Sequence, residues 1–321
     1  MASVLPQEAL GLADMEKKQQ QLLTPIDAGI SPLQLANALW MQKDKSLVIG
    51  FQNLIEDMFE GKIKIRGVDF KGNTEGARVT INNWAAKQTS GKISELLKPE
   101  ILKKETQLVV TNAIYFRGDW ALGFDKKKTQ KQPFSTGPDG KTQVNVPFMT
   151  QVNTFKYLQN EKMQVLELPY KGGFDMVILL PNAQDGLTAI ESSWLDPLQQ
   201  AQLKPKMVQV FLPKFKIEAG AELKETLMVL GMPTVFTNEA DLSGLTGNQD
   251  LSLAEVVHKT MVSVDEIGTE AIAATAAIVS SRGMGKPEAE FKANRPFIFL
   301  IRHQATNTIL FVGKLTNPTP N

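Results

Sequence analysis

The sequence predicts a mixed α+β fold in one domain spanning residues 1–321, and three observations lead there. Uncharged stretches with strand periodicity recur from Gln34 to Leu315, helical stretches with an apolar stripe fall between some of them, and no repeat, low-complexity block or linker divides the chain. Hydrophobic residues make up 42% of the chain and charged ones 21%, enough apolar surface for a large core.

Pro6 to Leu23 reads as a helix, with Leu10, Leu12, Met15, Leu22 and Leu23 on a loose apolar stripe. Gln34 to Trp40 alternates as a strand. A second helix runs through Leu47, Ile49, Phe51, Leu54, Ile55, Met58 and Phe59 and stops near Gly61, and a third runs from Thr74 to about Thr89, closed by Ser90-Gly91. Gln107 to Trp120 is the clearest strand. Leu108, Val110, Asn112, Ile114 and Phe116 share one face; Val109, Thr111, Ala113 and Tyr115 share the other. Both faces are uncharged, which predicts a central strand covered on both sides. Further strands fit Val165 to Leu168, Met176 to Leu180, Val208 to Phe215, Leu253 to Val264, Phe297 to Arg302 and Ile309 to Leu315, with a helix from Glu222 to Leu230 ending at Gly231.

Composition excludes several functions. The net charge of +1 gives no reason to expect nucleic acid, and no apolar run is long enough to span a bilayer. With no cysteine there are no disulfides, thiolate nucleophiles or thiolate metal sites. Catalysis has little to work with: the histidines are His258 and His303, no Gly-x-Ser-x-Gly turn occurs, and Gly283-Met284-Gly285-Lys286 lacks the spacing of a phosphate loop. No cofactor or metal site is expected. Lys126-Lys127-Lys128 reads as a solvated face. The first residues lack the basic start, apolar core and cleavage site of a signal peptide.

The stretch from Glu266 to Arg282 is the most informative. Nine of the ten residues after Ile267 are Gly, Ala, Thr or Glu, so the segment has little apolar area to hold its place in a core, yet its Thr and Ile residues and lack of proline permit a strand. By propensity alone, Ala271 to Ala277 would be an alanine-rich helix. Arg282-Gly283 follows, and an arginine there fits the acidic specificity pocket of a trypsin-like protease. The segment reads as protease bait able to change from loop to strand.

Many separate stretches resemble the serpin family across nearly the whole chain. They are Asn83-Trp84 through Thr89-Ser90-Gly91-Lys92-Ile93, Thr111 through Trp120, Leu166-Glu167-Leu168-Pro169-Tyr170, Leu212-Pro213-Lys214-Phe215, Ala240-Asp241-Leu242-Ser243-Gly244, Val257-His258-Lys259, Asp265 through Ala271, Asn294-Arg295-Pro296-Phe297 and Phe311-Val312-Gly313-Lys314. The resemblance implies a large central mixed sheet, two smaller sheets, surrounding helices, and an exposed reactive loop at about 267–290. It also implies a monomeric inhibitor that acts as a suicide substrate of a trypsin-like serine protease through a covalent acyl-enzyme complex, and extracellular action, with the cytoplasm as the alternative. A non-inhibitory binder, carrier or chaperone with the same fold, or an inactive fragment, is the competing reading.

In that family the cleaved bond follows the seventeenth residue counted from the hinge Glu. Counting from Glu266 gives Arg282, so the implied reactive bond joins Arg282 to Gly283. Gly268, Thr269, Glu270, Ala271, Ala273 and Ala274 resemble the hinge of inhibitory members, while Ile272 departs from the small-residue pattern. By alternation Thr269, Ala271, Ala273 and Thr275 would point inward on insertion, leaving Ile272 outside. Asn112 and His258 match positions where the central sheet opens, as a gate or as a satisfied core pair. Lys214 and Glu266 match an ion pair near the loop's entry, and Trp120 an aromatic packed nearby. Family members carry two helices and a strand ahead of the region matching residues 1–25. The expectation for this shorter chain is therefore aggregation or a loop already inserted.

Overall fold

A computed structural model describes residues 33–59, 63–137, 141–191, 203–266 and 286–319. The helix expected over Pro6 to Leu23 lies outside the described residues. Two compact units are present: Leu33–Phe116 with Ile217–Val262, and Arg117–Lys216 with Ser263–Asn321.

In chain order the first strands and helices are β1 (Leu33–Gln42), α1 (Ile49–Phe59), β2 (Ile63–Val68), α2 (Thr74–Gln88) and β3 (Leu108–Phe116). A 3-10 turn at Lys126–Lys128 precedes β4 (Gln130–Ser135), β5 (Gln143–Gln159), β6 (Met163–Pro169), β7 (Phe174–Pro181), α3 (Leu187–Glu191), β8 (Lys204–Pro213) and β9 (Phe215–Glu222). Then come α4 (Lys224–Val229), a 3-10 turn at Thr234–Phe236, α5 (Ser243–Thr246), β10 (Leu253–Val264), β11 (Ala289–Lys292), β12 (Phe297–His303) and β13 (Thr308–Leu315). No helix among the described residues is long and apolar enough to cross a membrane.

The first unit is built on a five-stranded mixed sheet in the order β2-β1-β3-β10-β9. One face is a dry core in which Ala36, Ala38, Trp40, Val109, Ala113, Tyr115, Val257 and Met261 pack against Ala77, Ile81 and Ala85 of α2. The small alanines on both sides let helix and sheet approach closely. Trp40 is fully buried, and its indole donates to Thr111 at 2.8 Å, so its polar atom is satisfied inside the core. Asn73 caps α2 by accepting from Gly76 N–H at 3.0 Å, and Ser90 and Gly91 leave the helix with φ of 51° and 76°, the left-handed stop their sequence suggests. Buried Asn82 accepts from the backbone N–H groups of Leu96 and Leu97 and donates to the Leu97 carbonyl, tying the segment after α2 beneath it.

The opposite face of that sheet corrects the expectation that β3 is covered on both sides. Val110, Asn112 and Ile114 are only half-buried, whereas Val109, Thr111, Ala113 and Tyr115 are buried. At one end of this face Met41, Leu108, Leu251 and Leu253 make a small cluster with Val110, Val235, Phe236 and Leu245, but Asn112 and Ile114 lie beyond it. An uncharged alternation shows which side chains tolerate burial, not what supplies the cover.

In the second unit one eight-stranded sheet runs β11-β8-β5-β6-β7-β12-β13, with β4 paired to β5. The α+β class is as expected, but the two smaller sheets are joined into one, because the long β5 pairs with β4 and β8 along most of its length and with β6 at its end. β7 is buried throughout, as its continuous apolar run requires. The strand expected over Val208 to Phe215 is two: β8 stops at Pro213, and β9 begins after Lys214.

Candidate functional site

Within the first unit, β1, β3 and β10 place three polar residues on a single rung. Asn37 pairs with Asn112, and Asn112 with His258, in antiparallel and parallel register respectively. The Asn112 amide donates to Asn37 Oδ1, and His258 Nδ1 donates to Asn112 Oδ1. Apolar or uncharged rungs flank it, Leu39, Val110 and Val256 on one side and Leu35, Ile114 and Thr260 on the other. Burial holds the His258 imidazole below its ordinary pKa, favouring the neutral ring. Sequence singled out Asn112 and His258 but not Asn37, whose partnership is visible only once the strand register is known.

β3 and β10 are direct hydrogen-bonded neighbours in parallel over nine register positions, from Leu253↔Leu108 to Val262↔Phe116. A loop already inserted between these strands, one of the two expectations for the short chain, is therefore not the arrangement found.

The second cluster lies wholly in the second unit. Lys214 Nζ sits 2.8 Å from Glu266, whose side chain is 5% exposed against 35% for the lysine. Thr129 Oγ1 donates to the same carboxylate at 2.8 Å, and Phe124 N–H donates to the Glu266 carbonyl at 2.9 Å. Burial alone would raise the Glu266 carboxyl, but the hydrogen bonds from Lys214 and Thr129 and the lysine's charge outweigh it and hold the group below its usual range. One residue earlier, the Asp265 carbonyl accepts from the Trp120 indole at 2.8 Å and its carboxylate meets Arg117 at 3.3 Å. Trp120 stacks on Tyr170 with ring centroids 4.1 Å apart and takes the edge of Phe124 at 5.9 Å. Burial, followed by the charges of Asp265 and Asp175, pushes the Tyr170 phenol well up, so it stays protonated. The sequence singled out Trp120, Lys214 and Glu266 for this region; Asp265 and Tyr170 stood within family-matching stretches without an assigned role, and Thr129 carried no signal until the fold joined it to Glu266.

Residues 267–285 lie outside the described residues, and with them Gly268, Thr269, Glu270, Ala271, Ala273, Ala274, Arg282 and Gly283. After them, Glu288 N–H donates to the Met207 carbonyl at 2.9 Å, and β11 pairs in parallel with β8. Among the described residues no group of acidic, histidine or cysteine side chains is disposed to hold a metal.

Comparison with known proteins adds to this geometry. The sequence profile described as Serpin (serine protease inhibitor) matches residues 1–318. Leukocyte elastase inhibitor of Bos taurus is 41% identical over 299 residues, covering 89% of this chain and 78% of that protein. Antithrombin-III of Mus musculus is 38% identical over 304 residues, covering 91% and 63%. Among solved structures, uncleaved ovalbumin superposes with a TM-score of 0.79 at 29% identity, covering 89% of this chain and 77% of that one. Human thyroxine-binding globulin gives 0.82 at 28%, covering 98% and 83%.

Proposed function

This chain belongs to the serpin family, whose members are mostly serine protease inhibitors rather than enzymes, and from that premise we propose that it traps trypsin-like proteases as a suicide substrate cleaved between Arg282 and Gly283. One serpin domain over residues 1–321 presents the reactive loop, about 267–290, to a protease whose acidic pocket receives Arg282. The protease serine attacks the Arg282 carbonyl, an acyl ester forms, and the amine of Gly283 leaves. The freed strand beginning at Glu266 then inserts between β3 and β10, carrying the tethered protease with it before water can hydrolyse the ester.

The observation that carries this reading is the parallel pairing of β3 with β10. Chain that leaves the end of β10 and folds back runs antiparallel to β10, and therefore antiparallel to β3 as well. Insertion replaces one parallel ladder with two antiparallel ones and adds a strand's worth of backbone hydrogen bonds. The uninserted form is held from that lower state by kinetics alone. Small side chains at Gly268, Thr269, Ala271, Ala273 and Ala274 let the strand enter without displacing the buried face, and Asn112 and His258 form the polar rung that must part to admit it. Lys214, Thr129 and Trp120 fix the point from which it folds.

Ile272 favours a second reading, a non-inhibitory carrier or binder, because a bulky hinge residue slows entry. Extracellular action, with the cytoplasm as the alternative, belongs to the same proposal. Thermal midpoints before and after limited cleavage at Arg282 test it: insertion predicts a marked rise on cutting, and an unchanged midpoint favours the carrier.

A further inference from the structure

Among the described residues Lys43, Lys45, Lys98, Lys156, Lys171, Lys214, Lys259 and Lys314 have acidic partners. Lys126, Lys127, Lys128 and Lys131 are among the lysines that have none, and they fall within six residues of one another. All four are exposed, and none makes a salt bridge among the described residues. The nearest acid in sequence, Asp125, is engaged in accepting from Lys127 N–H at 2.9 Å as the cap of the 3-10 turn. The turn thus carries three consecutive exposed ammonium groups, more positive charge than one carboxylate could neutralise.

Their place in the fold gives the charge a meaning. Thr129, between Lys128 and Lys131, donates to Glu266, the last described residue before the reactive loop. Lys131 pairs with Pro147, whose carbonyl accepts from Lys214 N–H at 2.9 Å, so Lys131 and Lys214 stand on one rung of the sheet about 10 Å apart. Both roots of the loop are tied to β8: the outgoing root through Lys214, which follows its last residue, and the returning root through Glu288 on Met207 and Ala293 on Phe211. A protease held on the loop is thus tethered at both ends to the sheet whose strand β4 bears Lys131 and follows directly on the turn of Lys126, Lys127 and Lys128.

We propose that Lys126, Lys127, Lys128 and Lys131 form a docking surface for an acidic patch on the rim of the attacking protease. This rests on the reactive-loop reading and names a further property of the partner: besides the acidic pocket for Arg282, it carries negative surface charge beside its active-site cleft. Exposed lysines on flexible stems act as point charges without the bidentate geometry of arginine, so they speed encounter more than they tighten the final complex. With a Debye length of about 8 Å at physiological salt, the effect is strong only at close approach and fades as salt rises.

The test measures the second-order rate at which intact loop is lost, by cleavage and complex formation together, with an anionic and a cationic trypsin at low and high salt. The parent and a variant carrying Lys126→Gln, Lys127→Gln, Lys128→Gln and Lys131→Gln are compared. The expected result is attack by the anionic enzyme that is about five- to twentyfold faster on the parent than on the variant at low salt, with the difference shrinking at high salt and reversed in sign for the cationic enzyme. The fraction ending as covalent complex is expected to be the same for both. Equal rates and equal salt dependence overturn the docking surface, while absence of covalent complex with the rate difference intact overturns inhibition alone. Binding of inorganic polyphosphate to the parent but not the variant, with no rate difference, makes the patch a polyanion site and overturns the proposal. A variant with Lys126→Glu, Lys127→Glu and Lys128→Glu, expected to slow the anionic enzyme further and speed the cationic one, separates charge from any change in folding.

Discussion

Lys214 and Glu266 form a 2.8 Å ion pair in which the carboxylate is almost wholly buried and the ammonium is one-third exposed. The asymmetry matters because only one member depends on the other for its polar contacts. The lysine can turn to water; the carboxylate has Thr129 and little else.

Lys214→Met is therefore expected to destabilise the fold more than Glu266→Gln. The first leaves a buried carboxylate short of a donor, at about 1–3 kcal/mol, while the second keeps an acceptor for Thr129. Urea midpoints of the two variants check it. The low pKa of Glu266 sets the pH window: its contribution is present above the unfolded value of about 4.3 and is lost as pH falls through the folded one.

For His258 the sign is reversed in chemistry but not in direction. Burial depresses its folded pKa, so the unfolded chain takes up the proton first, and the stability of the Asn37–Asn112–His258 rung is present above about pH 6.5 and lost as pH falls below it. Thermal midpoints between about pH 8 and about pH 5.5 are expected to fall less in His258→Gln than in the parent. His303 is depressed in the same way, so the difference between the two proteins, not either curve alone, is the readout.

Gly313 on β13 lies against Phe299 on β12. A Cβ at position 313 would come within 2.3 Å of the Phe299 ring, which is itself buried and in contact with Phe215. Gly313→Ala is expected to cost about 1–3 kcal/mol by overpacking, and Phe299→Leu in the same chain to recover part of it. Additive losses in the double variant would contradict this.

Much of this architecture was legible because strand signals depend on local alternation. β3, β6, β7, β10, β12 and β13 carry β-branched and aromatic residues in register with their burial. β5 was missed: Pro147 interrupts it, and polar residues such as Asn145, Gln151 and Asn153 blur its periodicity. β9 was missed because Ala219, Gly220 and Ala221 have no strand preference, and pairing alone holds it. At the site, Lys214, Glu266 and Trp120 were anticipated through family motifs. Asn37 and Thr129 had no local mark, since their roles arise from partners 75 and 137 residues away.

Thr269→Arg is expected to convert the inhibitor to a substrate. Position 269 would enter the sheet early with its side chain inward, where an unpaired charge is costly to bury, while attack at Arg282 continues unchanged. The ratio of cleaved to complexed protein should rise severalfold, and an unchanged ratio would show that this side chain does not enter the sheet.

The most direct test of the trap is the intact mass, under denaturing conditions, of the species formed when the protein meets trypsin. Acylation at Arg282 followed by insertion predicts a covalent adduct of trypsin with residues 1–282 and a released fragment beginning at Gly283. Two cleavage fragments with free, active trypsin and no adduct would contradict it.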